Sequence, residues 1–343
     1  MSRKVRILLI MGIFGAFMMP IIRGNGIQES AVLKVDDDGG PGVYTIIQAA
    51  VDAASPGDTI KIMPGEYAGA WIEKPVKVMG SGPATLITSD AWDYYWQDRT
   101  GDAFDITDTA GGTEISNLAI DLSSVPPLPH GFLLGGISIF FADDVTVKDV
   151  EFRNNGYTAI YARGDGWGAK NLQIIHNSII GFCGHTDQSG SYLPPYSAIR
   201  LDDCSNGLVA YNKIESLPDD TEPVIGVAIL SWTYEAAGNS IIHNKIAVKT
   251  GAGKYAVYLW DRTGKNEVPC EDIHDNLINL NDFRGSENYT DGSLCYVAYY
   301  PECLANINMI SRNLGDNRRY VPPVEPLKLK NSAGGPWVTI IDE

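Results

Sequence analysis

A short pattern returns seven times along the chain, at residues 115–118, 147–150, 175–178, 210–213, 242–245, 274–277 and 306–309. Its third position is Asn117, Asp149, Asn177, Asn212, Asn244, Asn276 and Asn308, at intervals of 28 to 35 residues. So steady a period marks a stacked repeat, in which each unit buries its apolar face only against its neighbours. A second set of segments lies upstream of each Asn, at 103–106, 138–141, 159–162, 198–201, 228–231, 256–259 and 298–301. These alternate as half-buried strands do. Each unit therefore holds a strand in this upstream column, a second ending near the Asn, and a third just after it.

The period would also suit strand–helix units of a barrel, but the connections argue otherwise. Residues 184–195, 216–223 and 281–293 are rich in Gly, Pro, Asp, Asn and Ser. They cannot supply the apolar helices that cover a parallel sheet. A coil of short strands needs no such cover. The expected fold is all-β: a single-stranded right-handed parallel β-helix of about nine rungs, stacked at roughly 4.8 Å into a rod on the order of 40 Å long. The recurrent Asn is expected at a tight turn, in left-handed geometry, with its amide bonding along the axis as a ladder.

Residues 44–54 read as an amphipathic helix, expected to cap the open N-terminal end, with strands at 59–63, 76–79 and 85–88 behind it. The division expected is 1–26 as a signal peptide or N-terminal anchor, 27–312 as the β-helix with its cap, and 313–343 as a C-terminal tail covering the far end. Arg3, Lys4 and Arg6 form a basic start, and residues 7–22 an apolar stretch interrupted by Gly12, Gly15 and Pro20. That length suits an export signal better than a membrane span.

Export makes the protein secreted, at the cell surface or in the periplasm. Removing residues 1–26 takes four cations and no acids, leaving 22 positive and 42 negative groups. Such a surface excludes nucleic acid as a partner and leaves a membrane only the N-terminal segment. A monomer is expected. Five cysteines (Cys183, Cys204, Cys270, Cys295 and Cys303) leave at least one unpaired within the chain, with one or two structural bridges expected among the rest.

The segment 44–67, followed by 74–87, resembles the opening of secreted right-handed β-helix proteins of the pectin lyase-like superfamily. It is especially similar to those with carbohydrate-binding and sugar-hydrolase repeats, including NosD-like periplasmic proteins. The resemblance covers about residues 43–312. It implies the fold and an extracellular polysaccharide as partner, and leaves activity open, because one fold hosts many chemistries. The polygalacturonase, pectin methylesterase, pectate lyase and alginate epimerase residue patterns are incomplete or absent.

In the upstream column Ile199 and Leu201 should point inward, so alternate residues point outward. Stacking those positions gives one row of Asp105, Phe140, Tyr161, Arg200, Leu230, Tyr258 and Tyr300. Two residues further on comes a row of Thr107, Ala142, Arg163, Asp202, Trp232, Trp260 and Glu302. Tyr161, Trp232, Tyr258, Trp260 and Tyr300 suit the faces of sugar rings, with carboxylates and arginines for hydroxyls or uronates. The alternative is that loops cover this sheet and bury the aromatics as a second core.

Arg200, Asp202, Asp203, His185 and Arg163 are the catalytic candidates. Asp165, Asp187 and Asp202 are candidate ligands for Ca²⁺, the only cofactor expected. In polyuronide lyases of the resembled class, such carboxylates hold Ca²⁺ against the substrate while a base removes the C5 proton. Two of these carboxylates could instead run glycoside hydrolysis. Two readings follow: a polysaccharide lyase or glycoside hydrolase, or a non-catalytic β-helix that binds glycans or a protein partner. His176, Tyr211 and His243 stack in another row, with the two histidines too far apart to share one ion.

Overall fold

The computed structural model describes residues 30–89, 102–124, 135–155, 158–182, 196–216, 224–231, 233–248, 255–261 and 273–283, with short pieces at 297–298, 309–311, 313, 327–328 and 337–338. Its strands fall into three columns, and every pairing between rungs is parallel. The first column runs from Val32–Val35 through Thr59–Ile62, Lys77–Met79 and the start of Glu114–Asp121 to Leu277–Asn279 and Met309–Ser311. The second runs from Gly65–Ala68 to Lys245–Ala247, and the third from Ala70–Ile72 to Val297–Ala298. The chain thus climbs one rung per repeat as a parallel β-helix, in the right-handed sense that strand–crossover–strand connections take. Ten strands fill the first column, one more than the expected rungs.

The inward positions explain why the repeat folds this way. In the first column Ile60, Val78, Ile115, Val147, Ile174, Val209, Ile241 and Ile278 pair directly from rung to rung, and all are buried. Ile87, Ile120, Phe152, Ile179, Ile214 and Ile246 do the same in the second. Ile72, Ile106, Ile139, Ala162, Leu201, Ile229 and Leu259 complete the core in the third. β-branched side chains suit these strands, and each stack removes apolar surface from water at about 25 cal/mol per Å².

Corner asparagines form a continuous ladder. The Oδ1 of Asn212 accepts from the backbone N–H and Nδ2 of Asn177, at 2.9 and 3.0 Å, and the relation repeats through Asn244, Asn281 and Asn313. A second ladder at another corner joins Asn239 to Asn276. Two expectations are corrected here. The left-handed residue is the one before each ladder Asn: His176, Tyr211 and His243 have φ of 58°, 57° and 56°. Asn117 and Asp149 also have positive φ, so they belong with those residues rather than in the ladder, and Asn276 belongs to the second corner. Asn308 lies outside the described residues.

The N-terminal helix spans Ile47–Ala53, shorter than expected. Tyr44 is held extended instead: its N–H donates to Lys34 O and its carbonyl accepts from Asp36 N–H. The helix buries Ile47, Ala50 and Val51, and the Gln48 amide bonds both the N–H and the carbonyl of Trp71. The strands at Thr59–Ile62, Lys77–Met79 and Thr85–Ser89 lie where the sequence puts them. Near the C-terminus, Leu327–Lys328 and Trp337–Val338 pair antiparallel. Among the described residues no helix is long and apolar enough to cross a membrane. The segment 1–29 lies outside them.

Candidate functional site

Arg200 and Asp202 project from the outer side of the third column, as their alternation with Ile199 and Leu201 requires. They are nevertheless buried, with 7% and 1% of their surface exposed. The Arg200 Nε donates to Asp202 Oδ1 at 2.8 Å, and a terminal guanidinium nitrogen reaches Oδ2 at 2.6 Å. Tyr161, one rung below, donates its hydroxyl to the same Oδ2 at 3.2 Å, and its ring lies 5.3 Å from the guanidinium carbon. Burial pushes the Asp202 carboxyl above the usual carboxylate range, while the guanidinium and the phenol pull it back. Burial, then the Asp202 charge, drives the Tyr161 phenol well above its ordinary value. Arg200 and Asp202, expected as catalytic residues, thus stand as a buried ion pair whose members bind each other.

The outward rows are corrected as well. Tyr161 and Arg200 stand in register with Asp105, Ser138, Ala228 and Tyr258, whereas Phe140, Leu230 and Trp260 share the row of Arg163 and Asp202. On this face Asp105, Ser138, Ala228 and Leu230 are buried, whereas Phe140 is only partly so and Arg163 is exposed. Tyr161 is half-buried, edge-on to Phe140 at 6.0 Å, and Tyr258 is half-buried. His185, Asp187, Trp232, Tyr300 and the side chain of Trp260 lie outside the described residues.

Asp203 serves a turn. It has φ of 52°, and its Oδ1 accepts from the N–H groups of Thr233 and Tyr234 at 3.4 and 3.3 Å. Arg163 is exposed and paired with Asp165 at 2.8 Å through two nitrogens. The Asp165 and Asp202 carboxylates are thus each engaged by an arginine. Among the described residues no three acidic, His or Cys side chains gather as metal ligands. Cys204 is a free, buried thiol, and the other four cysteines lie outside the described residues.

The accessible chemistry lies at the next corner, where third-column strands turn outward. A cleft of about 850 Å³ is lined by Asp108, Gly111, Phe141, Asp143, Asp165, Trp167, Thr233 and Tyr234. The segment 164–168 (Gly-Asp-Gly-Trp-Gly) shapes it. The Trp167 and Gly168 N–H groups both donate to Gly164 O. A Cβ at Gly168 would sit 1.8 Å from Phe141 O, and one at Gly164 would sit 2.1 Å from Asp203 O. Only glycine permits so tight a turn, and it leaves Trp167 83% exposed. Asp203 fixes the backbone of Thr233 and Tyr234 across the cleft. Asp143 accepts the Lys170 N–H at 2.8 Å, which fixes that carboxylate at the wall. The aromatics and carboxylates of this cleft, Asp165 excepted, escaped the sequence reading because they sit on turns, where strand alternation says nothing. The glycine-flanked Trp167 was the available signal.

No protein-family model matches the chain, and no curated protein does. Several solved structures resemble it. The rice weevil pectin methyl esterase aligns at 15% identity over 84% of this chain and 88% of its own, with a TM-score of 0.42. The A-module of the Azotobacter vinelandii mannuronan C-5 epimerase aligns at 16% identity over 70% and 67%, with a TM-score of 0.39. The Eubacterium ramulus lacto-N-biosidase aligns at 12% identity over 83% and 67%, with a TM-score of 0.32. These neighbours are right-handed parallel β-helices. The architecture of this chain rests on its own strand register, and no residue role is carried over from them.

Proposed function

We propose that the protein is an exported, carbohydrate-active β-helix that holds a polysaccharide in the Trp167 cleft. The exposed Trp167 carries this reading. A large aromatic ring left in water on the rim of a cleft, with Phe141 and Tyr234 beside it, is a surface that gains from being covered. Sugar rings present apolar C–H faces that stack on such rings and hydroxyls that donate to carboxylates. Asp108, Asp143 and Asp165 supply the acceptors. Asp165 is balanced by Arg163, but Asp108 and Asp143 still repel an anionic polymer, so the ligand of this cleft is a neutral glycan rather than a polyuronide.

The finer reading is glycoside hydrolysis, the chemistry that a pair of carboxylates in a cleft supports. A lyase drawing its base from Arg200 has no support, because that guanidinium is buried against Asp202. The apolar residues 7–22 behind a basic start support the export part of this reading. Calorimetric titration of the purified chain with neutral plant and microbial polysaccharides tests binding, and release of reducing ends tests hydrolysis. Binding that survives Trp167→Ala unchanged would refute the cleft.

A further inference from the structure

On its upper rungs the first column presents an outer face without charge, in a chain of net charge −16. Its outward residues alternate with the aliphatic core and fall into two rows. One row holds Gln173, Leu208, Ser240 and Leu277, the other Ile175, Ala210, Ile242 and Asn279, in direct register from rung to rung. Lower in the same rows stand Lys77, Glu114 and Lys148. Ile175, Leu208, Ile242 and Leu277 are each only half-buried.

The corner beside this face extends it. His176, Tyr211 and His243 directly follow Ile175, Ala210 and Ile242, in left-handed geometry with φ of 58°, 57° and 56°. Their ring centroids are 5.1 and 5.0 Å apart and the planes differ by 7° and 2°. All three are exposed, Tyr211 by 53%. Rung stacking explains the spacing and the parallel planes, but not why aromatic side chains stand in water beside aliphatic ones. At the rim Lys213 is paired with Glu215 at 3.4 Å, and Lys245 lies in register with Asp282, so the border is close to neutral as well.

The strip reads the same in both directions along the axis. Ile175 and His176 stand one rung below Ala210 and Tyr211, and Ile242 and His243 stand one rung above. A two-fold axis across the middle rung sets Ile175 opposite Ile242 of a second copy, His176 opposite His243, and Tyr211 opposite Tyr211. A self-complementary patch is what an isologous contact needs. Electrostatics selects the same place. Two such acidic chains repel each other over most of their surface, whereas here no charge meets another.

We infer that this strip is the docking face of a second copy of the chain, packed antiparallel about a two-fold axis through the Ala210–Tyr211 rung. A face only a few rungs tall falls short of the roughly 800 Å² per partner that a standard stable interface buries. The dimer is therefore weak and reversible, and dilute protein is monomeric. The Trp167 cleft takes no part in it.

Sedimentation velocity of the intact chain, from low micromolar to near-millimolar concentration, tests this. The expected result is a reversible monomer–dimer equilibrium that high salt does not weaken, because no ion pair crosses the face and salt screens the repulsion around it. Tyr211→Glu sets two carboxylates against each other on the two-fold and should weaken association at least tenfold. His176→Asp combined with His243→Asp should do the same. His176→Asp combined with His243→Lys should restore it, because the two-fold then sets each Asp opposite a Lys of the other copy. Trp167→Ala should leave it unchanged. These side chains are exposed, so an unchanged melting temperature confirms that the variants fold. A dimer that Tyr211→Glu leaves intact, or one that the Asp and Lys combination fails to restore, overturns the inference. A chain that stays monomeric throughout overturns it too, and loss of neutral-glycan binding by Tyr211→Glu in that monomer would give the strip to a sugar instead.

Discussion

Arg200 and Asp202, two residues apart on one strand, form a doubly hydrogen-bonded ion pair with almost no exposed surface. The i, i+2 spacing puts both on the outer side of the sheet, which on a bare β-helix would mean solvent. Here it means a second buried layer in which Tyr161 closes the pair from the rung below. Charges taken out of water are costly unless each is fully matched, and the Asp202 carboxylate is matched by the Arg200 guanidinium and the Tyr161 hydroxyl. A structural role accounts for this arrangement.

Removing one partner exposes that cost. Arg200→Ala should destabilise the protein by about 3–5 kcal/mol, because it leaves a buried carboxylate unpaired. Arg200→Met combined with Asp202→Leu should recover most of the loss. Chemical denaturation of the three proteins measures both. A single variant as stable as the parent would show that the pair is solvated.

Tyr161 has an alkaline signature. Its folded pKa lies well above the ordinary 10.0, so its contribution is fully present below pH 10 and is lost as pH rises toward the folded value. The parent should therefore lose stability more steeply above pH 10 than Tyr161→Phe does. At neutral pH that variant should be weaker by about 1.5–3 kcal/mol, the loss of one hydrogen bond to a charged group. Melting temperatures across the alkaline range give both slopes.

Cys204 should be silent to thiol reagents in the native state. Burial pushes the thiol well up, the charges of Asp202 and Asp203 add to this, and Sγ donates to Asp202 O at 3.2 Å. Cys204→Ala should leave the number of thiols titrated in the folded protein unchanged and lower the number titrated after denaturation by one.

The asparagine ladder makes its own demand. Asn212 bonds Asn177, Asn244 and Ile174 O, all buried. Asn212→Ala orphans the buried Asn177 N–H and breaks the ladder on both sides, and should cost about 2–3 kcal/mol. The same change at Asn117, outside the ladder, should cost less. Parallel thermal unfolding of the two variants decides it.

The parallel coil was legible from the repeat because parity along a strand survives errors of alignment. Placing Phe140 and Leu230 beside Arg200 was a slip of two residues. A two-residue slip keeps every inward side chain inward, so the aliphatic stacks came out right while the outward rows did not. Corners of unequal length caused the slip, and they also hid the ladder: Asn117 and Asp149 share the pattern with Asn177 but stand one position earlier in the turn. That Arg200 is buried could not be read locally, since it depends on what surrounds the outer face. Phe141, Trp167 and Tyr234 come together only through the stacking of three turns, which no single turn announces.

The central claim is that the Trp167 cleft is the glycan site and the Arg200–Asp202 face is not. Calorimetric titration of neutral polysaccharides into the parent chain, Trp167→Ala and Tyr161→Phe tests it most directly. The account predicts saturable binding by the parent, at least tenfold weaker binding by Trp167→Ala, and undiminished binding by Tyr161→Phe. Binding lost with Tyr161→Phe and kept with Trp167→Ala would contradict it and return the site to the third-column face.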